Sequence, residues 1–180
     1  MAGPGVGELF RLVLAEGSEE ARERLAAAFL EDVERGLEAI ARRVGGEAVP
    51  DTIVARTALE FVLAAAAYAW KEGKRLRVIA SSEPIAGWKP LNQVLAVMED
   101  NGIVEVYRLP LIASAKPTAR DVARRVARLA KGVSSRVVDV SDAPPYVVAG
   151  LYAGGVRTLT VLVDLGHIAV FQKFGFYQAP

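Results

Sequence analysis

Apolar residues repeat at helical spacing through the first part of the chain. Five large apolar side chains follow one another at intervals of three or four: Leu25, Phe29, Val33, Leu37 and Ile40. This spacing places them on one face of a helix. We predict helix over residues 8–44, interrupted at Gly17, with Ser18 as the N-cap of the second piece. Gly45 and Gly46 are predicted to end it.

The next segment is apolar almost all round. Pro50, Asp51 and Thr52 are typical of a helix start, and Gly73 is typical of a helix end. The residues between them predict one buried helix that runs from about residue 50 to Glu72.

From residue 75 onward, short apolar runs alternate with helical patterns. The runs predict strands at 76–80, 103–112, 137–140, 158–163 and 168–174. Helices are predicted between them at 90–100, 118–131 and 145–154. Thr118, with Asp121 three residues later, resembles a capping box at the start of the second of these helices.

This order of elements predicts an α/β fold. Alternating strands and helices are typical of a Rossmann-like, mainly parallel sheet flanked by helices. The short turn at 164–167 makes the last two strands an antiparallel edge hairpin. We expect residues 1–74 to form a helical N-terminal extension that packs on the sheet, and residues 75–180 to form the Rossmann-like domain.

Composition excludes several kinds of chemistry. The chain of 180 residues is 52% hydrophobic and contains no cysteine and one histidine, so it has no disulfide framework and no thiolate or histidine-rich metal site. Its basic residues are mostly arginine, which is typical of a thermophile. The longest uncharged stretch of the helical region, 61–70, is too short to cross a bilayer, and the N-terminus lacks the pattern of a signal peptide. We expect a cytoplasmic protein that does not bind membranes.

Charge is unevenly divided along the chain. Residues 1–74 carry 9 basic and 13 acidic side chains, and residues 75–180 carry 13 basic and 8 acidic ones. The basic second half favours an anionic ligand.

Polar side chains follow the strand predicted at 76–80. Ser81, Ser82 and Glu83 come first, and Trp88 and Lys89 precede the next helix. In an open α/β sheet, ligands bind beyond the carboxyl ends of the strands. The serine hydroxyls and free backbone N–H groups suit a phosphate or a nucleobase edge, Lys89 supplies charge, and Trp88 supplies a stacking plane. The structural alternative is that Ser82 caps a helix and Trp88 covers the core.

A second polar junction follows the strand predicted at 137–140. Ser141 and Asp142 lead into a helix that carries Tyr146, and Asp139 shares a strand face with Ser141. Asp142 is suited to bind a ribose hydroxyl or a metal ion. The alternative is that Ser141 or Asp142 caps the helix. These two junctions give the predicted ligand-binding residues: Ser81, Ser82, Glu83, Trp88, Lys89, Ser141, Asp142 and Tyr146.

The remaining polar features favour structural roles. Arg120, Arg124 and Arg128 form a basic stripe on one helix that is able to touch a phosphate backbone. No aromatic residues interleave with it, so stacking on a single strand is unsupported. We interpret the stripe as a solvated outer face of the sheet's helical layer. Direct binding of a DNA or RNA duplex is therefore not expected. His167 lies in the predicted hairpin turn, where a solvent-exposed role is favoured. No residue is predicted to be catalytic, and no metal or cofactor is predicted.

Two stretches carry a resemblance to a known family. The run Val-Val-Asp-Val-Ser-Asp-Ala-Pro-Pro from Val137, with Gly-Leu-Tyr-Ala-Gly-Gly-Val-Arg-Thr-Leu-Thr after it, resembles the later strand–loop–helix of CRISPR-associated Rossmann-fold (CARF) domains. The junction Ile79-Ala80-Ser81-Ser82-Glu83-Pro84 is similar to the first strand end of that family. The family loop usually carries Gly-Thr-Lys where this chain has Ala-Pro-Pro from Ala143.

The resemblance implies a homodimer that binds a cyclic oligoadenylate across its two-fold axis, in antiviral defence. It implies binding roles for Ser81, Ser82, Ser141 and Asp142.

Three functions stay open on the sequence. The first is a nucleotide-sensing regulatory protein of CARF type that binds a cyclic oligoadenylate or a similar anion at the strand ends. The second is a small-molecule enzyme on a Rossmann-like sheet that acts on a phosphorylated substrate. The third is a non-catalytic interaction subunit whose alanine-rich N-terminal helices pack on another chain. Fold class alone does not choose among them.

Overall fold

The structure is a computed structural model that describes residues 4–83 and 89–175. The sequence-predicted ligand residue Trp88 lies outside the described residues. Seven helices are described: Val6–Glu16 (α1), Glu19–Glu31 (α2), Val33–Ala41 (α3), Leu59–Lys71 (α4), Lys89–Asp100 (α5), Ala119–Gly132 (α6) and Pro145–Ala153 (α7). The described strands are Val44–Gly46 (β1), Thr52–Ala55 (β2), Leu76–Ser81 (β3), Val104–Leu109 (β4), Val137–Asp139 (β5), Thr158–Asp164 (β6) and Ala169–Gly175 (β7).

The seven strands form one sheet in the order β1-β7-β6-β5-β2-β3-β4. All neighbouring strands are parallel except β6 and β7, which form the predicted antiparallel pair. The chain moves outward from β2 through β3 to β4, then returns to the other side of β2 and continues through β5 and β6. The direction of winding therefore reverses between β2 and β5, as at the switch point of a Rossmann-like fold. The predicted fold class is confirmed.

Two hydrophobic clusters lie on the two faces of the sheet. On one face, α1–α5 bury the side chains of Ile53, Val78 and Phe171. On the other face, α6 and α7 bury Val54, Val138 and Leu159. No helix among the described residues is long and apolar enough to span a membrane.

The helix predicted from about residue 50 to Glu72 is wrong in its first part. Thr52–Ala55 is a strand, β2, and every residue in it is fully buried. A fully buried strand of one threonine and three apolar residues lacks the alternation that marks a half-exposed strand, and an alanine-rich helix begins soon after it. β2 lies between β3 and β5. The expected division at residue 74 therefore separates β1 and β2 from the sheet to which they belong.

The helix predicted over residues 8–44 is interrupted once more than expected. Asp32 adopts an extended backbone and accepts a hydrogen bond from the Arg35 N–H, so that α2 ends and α3 begins there. The expected break at Gly17 is confirmed by its left-handed φ of 63°. Ser18 is confirmed as an N-cap, because its hydroxyl accepts from the Ala21 N–H at 3.2 Å. The capping box of Thr118 with Asp121 is confirmed at the start of α6.

Glycine allows α6 and α7 to pack backbone against backbone. A Cβ atom at Gly150 would lie 2.5 Å from the Ala123 carbonyl oxygen, and one at Gly154 would lie 2.7 Å from the Ala127 carbonyl oxygen. Both neighbours are main-chain atoms of α6, which side-chain rotation cannot move. The two glycines therefore set the distance between α6 and α7, the two helices that cover this face of the sheet.

We expect Gly150→Ala to lower the free energy of unfolding by about 1–3 kcal/mol, because the added methyl group forces α7 away from α6. Urea denaturation followed by circular dichroism measures this. Gly132→Ala is the matched control, since its Cβ would meet nothing within 4 Å. The control should be neutral or stabilising by up to about 1 kcal/mol. Equal stability of the two variants would contradict the close packing of α6 on α7.

Candidate functional site

The crevice at the switch point is the candidate site. The carboxyl ends of β2 and β5 lie side by side there, since Ile53 of β2 pairs with Asp139 of β5. After β2 the chain passes through Arg56, Thr57 and Ala58 into α4. After β5 it passes through Ser141 and Asp142 toward α7. In open α/β sheets this is the position at which ligands bind.

The Asp142 carboxylate occupies the amino end of α4. Its Oδ2 atom accepts hydrogen bonds from the backbone N–H groups of Arg56 at 2.6 Å, Thr57 at 2.6 Å and Ala58 at 3.0 Å. The residue at the N-cap position itself, Ala58, has no capping side chain. The carboxylate, which comes from a distant part of the chain, therefore caps the three-residue turn that leads into α4, and its charge suits the positive end of the helix dipole.

The Arg56 side chain lies beside this carboxylate without a hydrogen bond at Nε. The Nε atom is buried, and it has no hydrogen-bond partner among the described residues. It lies 3.9 Å from Asp142 Oδ1, which is too far for a hydrogen bond. The side chain as a whole is 42% exposed. Arg56 thus holds an unsatisfied donor at the switch point on a side chain that is partly exposed.

A second arginine closes the crevice from the layer of α1–α5. Arg22 of α2 donates to both carboxylate oxygens of Glu60 in α4, at 2.9 and 2.7 Å. The Glu60 side chain is 6% exposed, so this pair is largely desolvated. The hydrogen bond to Glu60 raises the pKa of Arg22, and the nearby charge of Asp142 adds to the effect. The pair ties α2 to the first turn of α4.

Asp139 is the buried carboxyl group of the site. It is fully buried at the end of β5, where its oxygens accept hydrogen bonds from the Ser141 N–H and the Thr160 hydroxyl. Burial raises the pKa of Asp139 from 3.8 to about 6. The hydrogen bonds lower this pKa, whereas the negative charge of Asp142 raises it further. A group with no exposed surface does not touch a ligand, so the contacts of Asp139 are internal ones that hold the segment after β5 in place.

The loop that follows β4 connects the two predicted junctions. At the first junction, the Ser81 hydroxyl donates to Glu83, whose carboxylate accepts from the N–H groups of Leu111 at 3.1 Å and Ile112 at 3.4 Å. Burial opposes ionisation of Glu83, but these hydrogen bonds outweigh it and lower its pKa. At the second junction, the Tyr146 hydroxyl donates to the Leu111 carbonyl oxygen at 2.8 Å and accepts from the Ala113 N–H.

The structure brings most of the predicted ligand residues to the side of the sheet where the parallel strands have their carboxyl ends. One group follows β3 and the other follows β5, and β2 lies between these two strands. The Ser141 hydroxyl accepts from the Leu162 N–H at 2.8 Å, which ties it to β6. Ser82 and Lys89 are exposed. Ser81, Glu83, Ser141, Asp142 and Tyr146 all make hydrogen bonds within the chain.

Arg56 and Arg22 are the residues of this crevice that the sequence interpretation missed. Arg56 was assigned to the middle of a helix, because β2 was not recognised. An arginine between a fully apolar run and an alanine-rich helix was the available signal. Arg22 comes from a helix far away in the chain, and nothing in the sequence links it to Glu60.

Another concave region lies between the start of α1 and α3. A groove of about 530 Å³ there is lined by Gly5, Val6, Gly7, Glu8, Arg35, Ala39, Arg42, Arg43 and His167. Arg35 is paired with Asp32 at 3.6 Å, and Arg42 with Glu38 at 2.5 Å. Two of its three arginines are therefore already neutralised. Within the described residues, no three His, Asp or Glu side chains converge to hold a metal ion.

Comparison with known proteins gives no family for this chain. No protein-family model matches it, and no curated protein matches it. The site must therefore be interpreted from its own geometry.

We expect Asp139→Asn to change how stability depends on pH. Because the pKa of Asp139 is raised from 3.8 to about 6 in the folded state, protonation of this group stabilises the fold at low pH, by about 3 kcal/mol. This stabilisation is fully present below pH 4 and is lost as pH rises through 6. Asparagine stays uncharged, and its amide can bond with both Ser141 N–H and the Thr160 hydroxyl. Relative to wild type, the variant should gain about 3 kcal/mol between pH 3 and pH 7 in urea titrations. A constant difference between the two proteins would contradict a raised pKa.

We expect Asp142→Ala to lower the free energy of unfolding by about 2 kcal/mol or more, because three N–H groups at the start of α4 lose their acceptor. Asp142→Asn should cost less, because the amide oxygen still accepts. Asp100→Ala is the control, since Asp100 is an exposed aspartate at the end of α5. Chemical denaturation at pH 7 measures all three variants, and an Asp142→Ala protein as stable as the control would exclude the capping role.

Proposed function

We propose that this protein binds a nucleotide or another phosphorylated small molecule at the switch point between β2 and β5, as a regulatory module. The observation that carries the proposal is the Arg56 guanidinium group, which lies in the crevice with a buried Nε that lacks a hydrogen-bond partner among the described residues. Buried polar groups in proteins are nearly always satisfied, and exceptions point to a missing partner. A phosphate is the partner that suits arginine best, because its oxygens accept two parallel hydrogen bonds from the guanidinium fork.

The arrangement around Asp142 restricts how such a ligand is held. In dinucleotide-binding Rossmann folds, a pyrophosphate sits on the amino end of the helix after the first strand of the nucleotide-binding unit. Here the corresponding N–H groups, at Arg56, Thr57 and Ala58, are occupied by the Asp142 carboxylate. Phosphate binding then falls to the Arg56 side chain. The exposed Ser82 and Lys89 on the far side of β2 extend the binding surface.

The narrower form of the proposal is a sensor of CARF type. In that form the ligand is a cyclic oligoadenylate, and two copies of the chain bind it in a homodimer. The resemblance at the ends of β3 and β5 supports this form, and the arrangement of Arg56 is compatible with any phosphorylated ligand of suitable size.

The alternative functions have less support. For an enzyme, the carboxyl group with the strongly raised pKa is Asp139, which is fully buried and does not reach a substrate. For an interaction subunit, the alanine-rich N-terminal helices are expected to pack on another chain. The alanines of α4, Ala64–Ala67 and Ala69, are instead 0–1% exposed, because α1–α3 and the sheet of the same chain cover them.

A thermal-shift screen tests the proposal. The panel contains AMP, ATP, NAD, ribose 5-phosphate, and cyclic tetra- and hexa-adenylate. Each compound is used at a concentration near a hundred times the Kd expected for its specific complex with the protein. A ligand at that concentration stabilises by about 2.7 kcal/mol, which shifts the melting temperature by several degrees. We expect at least one phosphorylated ligand to raise the melting temperature, and NAD to be inactive because Asp142 blocks its pyrophosphate.

Arg56→Gln should abolish that shift, and Arg136→Gln is the matched control. Both changes remove one arginine charge, but Arg136 lies before β5, at the opposite edge of the sheet, and its side chain is exposed. A ligand whose effect survives Arg56→Gln and disappears in the control would disprove the assignment. Activity with only cyclic oligoadenylates, together with a dimer mass by light scattering, would support the CARF form. No shift with any member of the panel would reject the function.

A further inference from the structure

The helices of this protein separate charge across the sheet. Helices α1–α5 together carry six basic and eleven acidic side chains, whereas α6 and α7 carry five basic and one acidic. The two groups cover opposite faces. The uneven charge along the sequence therefore becomes one acidic face and one basic face of the folded molecule.

The basic side chains of α6 are exposed and form no close ion pair. They are Arg120, Arg124, Arg125, Arg128 and Lys131. None of them lies within ion-pair distance of an acidic group of the described residues. The hydrogen bonds of Thr118, and then the charges of Arg124 and Arg125, lower the pKa of Asp121 in the same helix. Arg35, the arginine of α3, behaves differently, since it pairs with Asp32. An outer helix face that serves solubility alone usually alternates its charges, so that cations and anions are close to one another.

The geometry of the stripe matches a repeating array of anions. Arg120, Arg124 and Arg128 follow at four-residue intervals, so successive side chains are about 6 Å apart along the axis. The apolar side of the same helix, at Val122, Val126 and Ala130, is 0–2% exposed. The helix is therefore fixed on the sheet, and its cations point outward from a rigid support.

These features select one kind of polyanion. Single strands are bound largely by stacking on aromatic side chains, and α6 has none. RNA duplexes are recognised in part through their 2′-hydroxyl groups, and the outer face of α6 has no hydroxyl or amide side chain for such contacts. Anionic membranes are bound most strongly by helices that expose large apolar residues beside the basic ones, and α6 exposes none.

We propose that the exposed face of α6 is a docking surface for the phosphate backbone of double-stranded DNA, bound without sequence preference. The sequence favoured a solvated face and no duplex binding. The absence of ion pairs among five cations on one rigid helix supports the opposite interpretation. The acidic face formed by α1–α5 repels DNA, so the protein binds with a single orientation. This function is independent of the ligand proposed for the switch point.

Fluorescence anisotropy with a labelled 20-base-pair DNA duplex tests the proposal on the full-length chain. Each phosphate contact contributes about −0.9 to the slope of log affinity against log salt. Four or five contacts give an expected slope of about −4. The double variant Arg124→Gln with Arg128→Gln should make the slope shallower by about two and weaken binding at 50 mM salt at least tenfold.

The matched control is Arg24→Gln with Lys74→Gln, which removes the same charge from exposed positions outside α6. It should leave the slope unchanged. Melting curves confirm that each variant is folded. Equal loss of binding in both double variants would show that only net charge matters and would overturn the proposal.

Competing probes test the choice of partner. The same titration is run with a 20-nucleotide single strand, a 20-base-pair RNA duplex, and vesicles of phosphatidylcholine with one quarter phosphatidylserine. Tighter binding to any of these than to the DNA duplex overturns the proposal, as does a salt slope near zero. Unchanged DNA binding by Arg56→Gln is expected and separates this surface from the switch-point site.

Discussion

The contact of Asp142 with the beginning of α4 is the constraint on which the rest of the structure depends. The sheet consists of two series of strands that diverge at β2 and β5, and β5 is only three residues long. So short a strand provides few ladder hydrogen bonds to hold the two series together. The Asp142 carboxylate adds three hydrogen bonds across this boundary, from the segment after β5 to the segment after β2. At the other edge, Asp51 before β2 accepts from the N–H groups of Arg136 and Val137. Two aspartates thus fasten the same pair of strands at both ends.

The use of the Asp142 carboxylate to join the two series of strands places buried charge near the switch point. An aspartate that serves as a cap brings its negative charge into the crevice, close to Asp139 and near Arg22 and Arg56. Glu60 satisfies Arg22 with two hydrogen bonds, so that pair is complete. Arg56 Nε lies within ion-pair distance of Asp142 Oδ1, at 3.9 Å, but it makes no hydrogen bond among the described residues, because Asp142 directs its Oδ2 atom to the backbone. The unsatisfied Nε of Arg56 is therefore a consequence of the use of Asp142 as a cap. The same consequence leaves a cation available to an external anion, which connects the stability of the fold to the proposed function.

The sequence predicted those parts of the fold that depend on local signals. Ser18, Gly17 and the Thr118–Asp121 pair mark helix ends through contacts within a few residues, and each was recognised. β2 was missed because its identity as a strand depends on pairing with β3 and β5, which lie more than twenty residues away in the chain. The site follows the same rule. Polar residues after β3 and β5 could be predicted from the strand ends, but the crevice centres on the end of β2, so Arg56 went unrecognised. The three hydrogen bonds that backbone N–H groups donate to Asp142 are tertiary contacts, and no spacing of residues along the sequence indicates them.

The separation of charge across the sheet has the same structural origin as the switch point. Because the chain reverses its winding after β4, the helices that precede the reversal cover one face and those that follow it cover the other. Any difference in composition between the two parts of the sequence is therefore converted into a difference between two faces of the molecule. In this chain the difference is one of charge, and its basic part is concentrated on α6. The switch-point crevice opens at the strand ends, between the two layers, whereas the basic stripe lies on the outer surface of one layer. A small ligand and a polyanion can therefore bind at the same time. Asp142 lies in the chain between β5 and α7, so it is the nearest covalent link between the crevice and the layer formed by α6 and α7.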